Sequence, residues 1–181
     1  MKLLKKLGLG VVMLIAIFLI VALFISKDAS YEKSISINAP IETVWNNIAT
    51  FEAQDKWSPW DVYDPTMKKE LVGIDGTIGA IQSWESDHEK VGKGSQTIVN
   101  TVPLSIIETE LKFLVPYESE ANGYIKVTIE GNSTKVTWGF NSEMPYPFNL
   151  MKLVMNMEEM MEEDWSLGLS KLKDLCEDNS F

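Results

Sequence analysis

The chain has 181 residues, of which 45% are hydrophobic and 10% aromatic, the composition of a packed globular protein rather than a disordered one. All sixteen basic residues are lysines, and residues 27–181 hold thirteen of them against all 26 acidic residues, a net charge of −13 for that part. This excludes nucleic-acid binding, which needs clustered Lys and Arg to neutralise phosphates, and the absence of arginine removes the planar fork used for bidentate phosphate or carboxylate recognition.

Residues 7–25 (LGLGVVMLIAIFLIVALFI) carry no charge and follow a tail containing Lys2, Lys5 and Lys6. At ~1.5 Å rise per residue, about 20 apolar residues cross a ~30 Å hydrocarbon core, so residues 1–26 are expected to be a tail and a transmembrane anchor. A cleaved secretory signal starts the same way. Its apolar region, however, is only about 7 to 15 residues long, and no small-x-small cleavage site follows this run. The lysine tail should stay in the cytoplasm and send the rest of the chain across the membrane, although Lys27 and Lys33 on the far side weaken the bias.

Residues 27–30 are expected to form a polar linker and residues 31–181 one domain. The segment 31–37 reads as a strand with Tyr31, Lys33, Ile35 and Ile37 on one side. Asn38-Ala39-Pro40 ends it and opens a helix, because proline suits the first helical position. Ile41, Val44, Trp45 and Ile48 then recur at the spacing of one buried helical face. A second short helix is expected over 51–57, ended by Ser58-Pro59. From residue 67 the pattern becomes alternation broken by glycine, which predicts strands at 68–74, 80–86, 95–101, 105–114, 123–130 and 134–142. In the clearest of these, Ile107, Thr109, Leu111 and Phe113 face inward. Successive strands on short connections make an antiparallel meander. After Pro145-Tyr146-Pro147, the series Leu150, Val154, Met157, Met161, Trp165, Leu169, Leu172 and Cys176 predicts a long C-terminal helix, with Glu158, Glu159, Glu162 and Glu163 mostly on its other faces.

Little in the sequence points to catalysis. The single cysteine, Cys176, allows no intramolecular disulfide, and one Cys with one His cannot supply the ligands of a zinc site. His88 lies among carboxylates, where it is either a general base or part of a solvated loop tip, and the second reading is preferred. Asp61 and Asp64, beside Trp57-Ser58-Pro59-Trp60, are read in the same way. No catalytic, cofactor-binding or metal site is therefore expected, and no cofactor.

The order of strand, two helices, six strands and long helix resembles the START-like, birch-pollen-allergen-like helix-grip superfamily, also called SRPBCC or polyketide cyclase/dehydrase. The matching residues are Ile37-Asn38-Ala39-Pro40 with Val44-Trp45, Trp57-Ser58-Pro59-Trp60, Gly76 and Gly79 before Trp84, Gly92 and Gly94, Val136-Thr137-Trp138, and Gly168-Leu169 with Leu172-Lys173. The resemblance covers about residues 31–175 and suggests a membrane-anchored bacterial member. It implies an α+β helix-grip fold, a curved antiparallel sheet of about seven strands around the last helix, with an apolar cavity between them. Candidates to line that cavity are Trp57, Trp60, Trp84, Leu111, Phe113, Trp138, Val154, Met157, Met161 and Trp165. Five methionines fall between residues 151 and 161, and this adaptable side chain suits either core filling or a cavity wall.

The expected function is that of a membrane-tethered, extracytoplasmic binding domain for a hydrophobic or amphipathic, lipid-like small molecule. One alternative is a cyclase/dehydratase-like enzyme in which His88, Asp61 or Asp64 moves a proton. Another is a non-catalytic domain that interacts with envelope partners.

Overall fold

The computed structural model describes residues 2–153 and 156–178. Helix α1 (Lys2–Ala22) is followed by β1 (Asp28–Ile37) and three short helices, α2 (Ile41–Asn46), α3 (Phe51–Asp55) and α4 (Pro59–Tyr63). Six strands come next: β2 (Lys68–Val72), β3 (Ile81–Glu85), β4 (Lys93–Val102), β5 (Ile106–Val115), β6 (Ser119–Glu130) and β7 (Ser133–Glu143). A 3-10 turn (Phe148–Leu153) leads to the long α5 (Met157–Glu177).

All seven strands form one antiparallel sheet in the order β1-β7-β6-β5-β4-β3-β2. Strands β2 to β7 each pair with the next in sequence, so short turns are enough. The exception is β1, which joins β7 at the opposite edge from β2, and α2 to α4 carry the chain across. Their apolar faces drive this crossing, since Val44, Ile48, Phe51 and Trp57 are all buried in the core with Ile37, Ile98, Ile107 and Val136. Register shifts near Lys93 and between Ile98 and Asn100 interrupt the β4–β5 ladder, and such bulges bend a sheet and sharpen its twist.

Helix α5 lies against β1 and runs in the same direction. Near its start, Glu162 accepts from Tyr31 Oη (2.5 Å) and pairs with Lys33; near its end, Glu177 accepts from the Asn38 backbone N–H (2.6 Å). Lys33 and Tyr31 hold the Glu162 carboxyl below its ordinary range. Leu169, Leu172 and Cys176 are buried on the inner side of the helix, as the spacing predicts. Asn156 caps it, its side chain accepting from the Glu159 N–H.

Three boundaries differ from the sequence reading. The β1 ladder begins at Asp28↔Glu143, so residues 28–30 are strand and the connection from α1 is shorter than expected; an edge strand tolerates their polar side chains on both faces. The short helix expected over 51–57 is present as α3 and ends at Asp55, but a further helix, α4, follows it unexpectedly, because Pro59 does not only end the first helix but starts a new one at its first position. The last helix starts at Met157 rather than near Leu150. Leu150 sits instead in the 3-10 turn, where its neighbours Asn149 and Lys152 bond to backbone carbonyls near the end of α1. Helix α1 is long and apolar enough to cross a membrane by length and composition, and residues 5–21 are exposed along it.

Candidate functional site

Strand register shows which side chains share the face beneath α5. Tyr31 pairs with Phe140, which pairs with Gly123, Thr109 and then Ile98; Lys33 pairs with Trp138, Ile125 and Ile107. Ile98, Ile107 and Ile125 are buried, so this is the inner face. The next inward positions bring Leu111 opposite Gln96 and Ala121, Phe113 opposite Gly94, and Gly94 opposite Trp84. Trp84, Gln96, Leu111, Phe113, Trp138 and Phe140 all remain partly exposed. This part of the inner face is therefore only partly covered, and its partly exposed apolar surface is called the groove below.

One wall of the groove is a cluster of four tryptophans. Trp138 stacks on Trp165 (centroids 4.6 Å, planes 24° apart), while Trp57 and Trp60 meet Trp138 edge-on at 5.1 and 5.7 Å. Trp60 also meets Trp165 edge-on at 5.9 Å, and Tyr31 and Phe140 complete its surroundings at 5.7 and 5.8 Å. Edge-to-face and offset pairs of this kind add about 0.5–1.5 kcal/mol each beyond their area burial. Gly168 lets α5 come this close: a Cβ there would lie 2.9 Å from the Trp138 ring and 3.2 Å from Pro59. The indole Nε1 of Trp165 is buried with no hydrogen-bond partner among the described residues.

The floor carries Trp84 and Phe113, with ring centroids 6.0 Å apart. Trp84 folds over Gly94, where a Cβ would sit 2.5 Å from its ring. Leu111 leans over Gly123 in the same manner, with its Cδ1 2.8 Å from a Cβ placed there.

Beside the apolar floor is a polar wall. Lys69 Nζ donates to Asp61 Oδ1 (2.5 Å) and pairs with Asp55 Oδ1 (2.7 Å); Gln82 Nε2 donates to Asp55 (3.0 Å to Oδ2), and Gln96 Nε2 donates to Gln82 Oε1 (2.9 Å). Lys69 and Trp84 are cross-strand partners, so this chain of bonds borders the apolar floor. Burial raises the Asp55 carboxyl above its ordinary value, against the opposing pull of Lys69.

The sequence candidates divide accordingly. Trp60, Trp84, Leu111, Phe113, Trp138 and Met161 are each partly exposed, and Trp165 is buried against Trp60 and Trp138. Trp57 does not reach the open face: it is 1% exposed and its Nε1 donates to the Asn47 carbonyl (2.8 Å). Val154 and the side chain of Met157 lie outside what the structure describes. Sequence reasoning missed Phe140, whose signal was its alternation with Val136 and Trp138. It also missed Gln82, which shares the inward phase of Trp84. Asp55 and Lys69 gave no local signal, because their contact joins two elements.

The proton-transfer candidates are dispersed. His88 is exposed, stacked on Tyr63 at 5.7 Å, and its Nδ1 accepts from the Lys90 N–H. Asp64 accepts from Ser86 Oγ (2.5 Å) and Thr66, which hold its carboxyl below the ordinary range. Asp61 alone belongs to the polar wall. Among the described residues no group of three or more His, Cys, Asp or Glu is placed to hold a metal ion.

Comparison with known proteins agrees with this fold. The family described as "Polyketide cyclase / dehydrase and lipid transport" matches residues 28–177. Comparison with curated protein sequences finds no match. Similar solved structures include a protein of Nitrosospira multiformis (TM-score 0.61, 20% identity, covering 84% of this chain and 99% of that one). Ara h 8.0201 is similar at TM-score 0.56 and 9% identity, over 82% of this chain and 97% of its own. DynU16, from the dynemicin biosynthetic locus, is similar at TM-score 0.58 and 14% identity, over 82% of this chain and 47% of its own. At these identities the likeness concerns the fold.

Proposed function

Because the chain belongs to the polyketide cyclase/dehydrase and lipid transport family, we propose that it is a membrane-tethered binding domain for an amphipathic, lipid-like small molecule. The observation that carries this is the partial exposure of Trp84, Leu111, Phe113, Trp138 and Phe140, large apolar side chains at inward positions of the sheet. Such a face left open to water loses ~25 cal/mol for each Å² that a ligand would bury. The apolar floor takes the hydrocarbon part of the ligand. The chain from Asp61 through Lys69 and Asp55 to Gln82 and Gln96 orients its polar end, the division of labour usual in small-molecule sites.

The runner-up, a cyclase/dehydratase-like enzyme, is favoured by the same polar wall, where Asp55 has a raised carboxyl beside Lys69. His88 and Asp64 have no part in it, being occupied at the surface. Native mass spectrometry of the detergent-solubilised full chain tests the binding reading. The expected result is a co-purifying amphipathic molecule with a long apolar chain; protein that carries none, and takes up no fatty acid offered to it, would remove the proposal.

The lysine tail argues for a cytoplasmic N-terminus and an extracytoplasmic domain. Lys27 is exposed, so Lys27→Cys should react with a membrane-impermeant thiol reagent in intact cells. Reaction only after the cells are broken would reverse the orientation.

A further inference from the structure

The junction between α1 and the domain is tightly held. Five residues separate Ala22 from Asp28, a reach of at most about 18 Å. Asn149, with none of its surface exposed, donates from Nδ2 to the carbonyls of Ala22 (2.8 Å) and Ile25 (2.9 Å). Lys152 Nζ donates to the Asp28 carbonyl (2.5 Å), and the Met144 N–H donates to the Lys27 carbonyl (2.8 Å). Ala22 is buried beneath this clamp while residues 5–21 of α1 are exposed.

The sheet register fixes what else shares this end. Asp28 pairs with Glu143, Ser142 with Ala121, and Ser119 with Phe113. The β5–β6 turn and the segment after β7 therefore sit beside the exit of α1. They carry large apolar side chains facing water: Tyr117 is 81% exposed, Phe148 62% and Leu153 66%, next to Phe24 at 85%. Aromatic side chains flanking an apolar span are typical of the membrane–water interface.

We propose that this end of the domain is a membrane-docking surface, with Tyr117, Phe148 and Leu153 entering the interfacial layer of the bilayer that α1 spans. The proposal rests on the anchor reading of α1. A second set of exposed apolar residues, Ile74 and Ile78, lies in the turn between β2 and β3 at the other end of the sheet. The twelve residues of β6 separate the two ends by about 40 Å, and only the first set is held to α1. Beside the docking side chains, Asp28, Glu118 and Glu143 outnumber Lys27 and Lys152, so attraction to anionic lipid does not drive the contact. Apolar insertion does, and it is insensitive to salt screening. Because Trp165 meets Tyr31 on the first half of β1 and Trp84 and Phe113 lie in the last three residues of β3 and β5, the apolar face stands nearer the docked end. A ligand then passes between the groove and the acyl layer without crossing bulk water.

The test uses the full chain reconstituted in phosphatidylcholine vesicles containing a lipid with a nitroxide near the top of its acyl chain. Single variants Phe24→Cys, Tyr117→Cys, Phe148→Cys and Ile78→Cys each carry an environment-sensitive fluorophore. Cys176 can stay, since it is buried and burial pushes its thiol up to about 11. Quenching at 24, 117 and 148 should exceed that at 78 by at least about threefold and persist in high salt. Quenching at 24 without 117 and 148 leaves the anchor standing and overturns the docking surface. No quenching at 24 overturns both. Quenching at 78 in place of 117, or its disappearance in high salt, also overturns the proposal.

Discussion

Trp57→Ala is expected to destabilise the protein by about 3–5 kcal/mol, against a usual total of about 5–15 kcal/mol for a domain. Trp57 is 1% exposed, its ring supports Trp138 edge-on at 5.1 Å, and its Nε1 satisfies the Asn47 carbonyl at 2.8 Å. Alanine leaves a large cavity between α3, α4 and the sheet and orphans that carbonyl. Trp57→Phe restores most of the volume and still loses the hydrogen bond, so a smaller cost of about 1–3 kcal/mol is expected. Trp60→Ala, at a partly exposed position, should cost less than Trp57→Ala. Urea titration of the solubilised chain measures all three. A loss below about 1 kcal/mol for Trp57→Ala would mean that the helical crossover does not depend on this ring.

Leu111→Trp is expected to weaken binding of a fluorescent fatty acid by at least tenfold, about 1.4 kcal/mol, while shifting the melting temperature only slightly. Leu111 is half-buried on the groove floor, with Ala121 and Gln96 as cross-strand partners and Gly123 beneath it. A tryptophan side chain there extends into open groove. In a closed core the same enlargement would overpack and cost about 1–3 kcal/mol. A large fall in melting temperature, with no probe bound by the parent protein, would show a filled interior and remove the physical basis for ligand binding.

How much of this was legible in the sequence depended on the range of the forces involved. The strands were, because alternation is local: Ile107, Thr109, Leu111 and Phe113 face inward as the pattern predicts. The inner face of α5 was too, since Leu169, Leu172 and Cys176 keep the helical spacing. The start of α5 was not, because the apolar periodicity runs on through Leu150. There Asn149 and Lys152 lie in a 3-10 turn and bond to backbone more than a hundred residues earlier, contacts that no local periodicity records. The polar wall escaped for the same reason. Asp55, Lys69 and Gln82 come from one helix and two strands, and none looks unusual among its sequence neighbours. The tryptophans were visible one by one, but their mutual stacking depends on Gly168 allowing α5 to approach.

The pairing of β1 with β7, from Asp28↔Glu143 to Ile37↔Thr134, also bears on how the chain is made. Strands β2 to β7 pair with immediate neighbours and can assemble while synthesis proceeds, whereas β1 must wait about a hundred residues for its partner, and such distant contacts form slowly. By then α1 has already emerged, so on the proposed anchor reading its insertion would precede closure of the sheet. The β1 edge of β7 stays unpaired until residues 28–37 dock onto it. A defect in placing α1 would thus leave an open strand edge, the kind of surface from which aggregation starts.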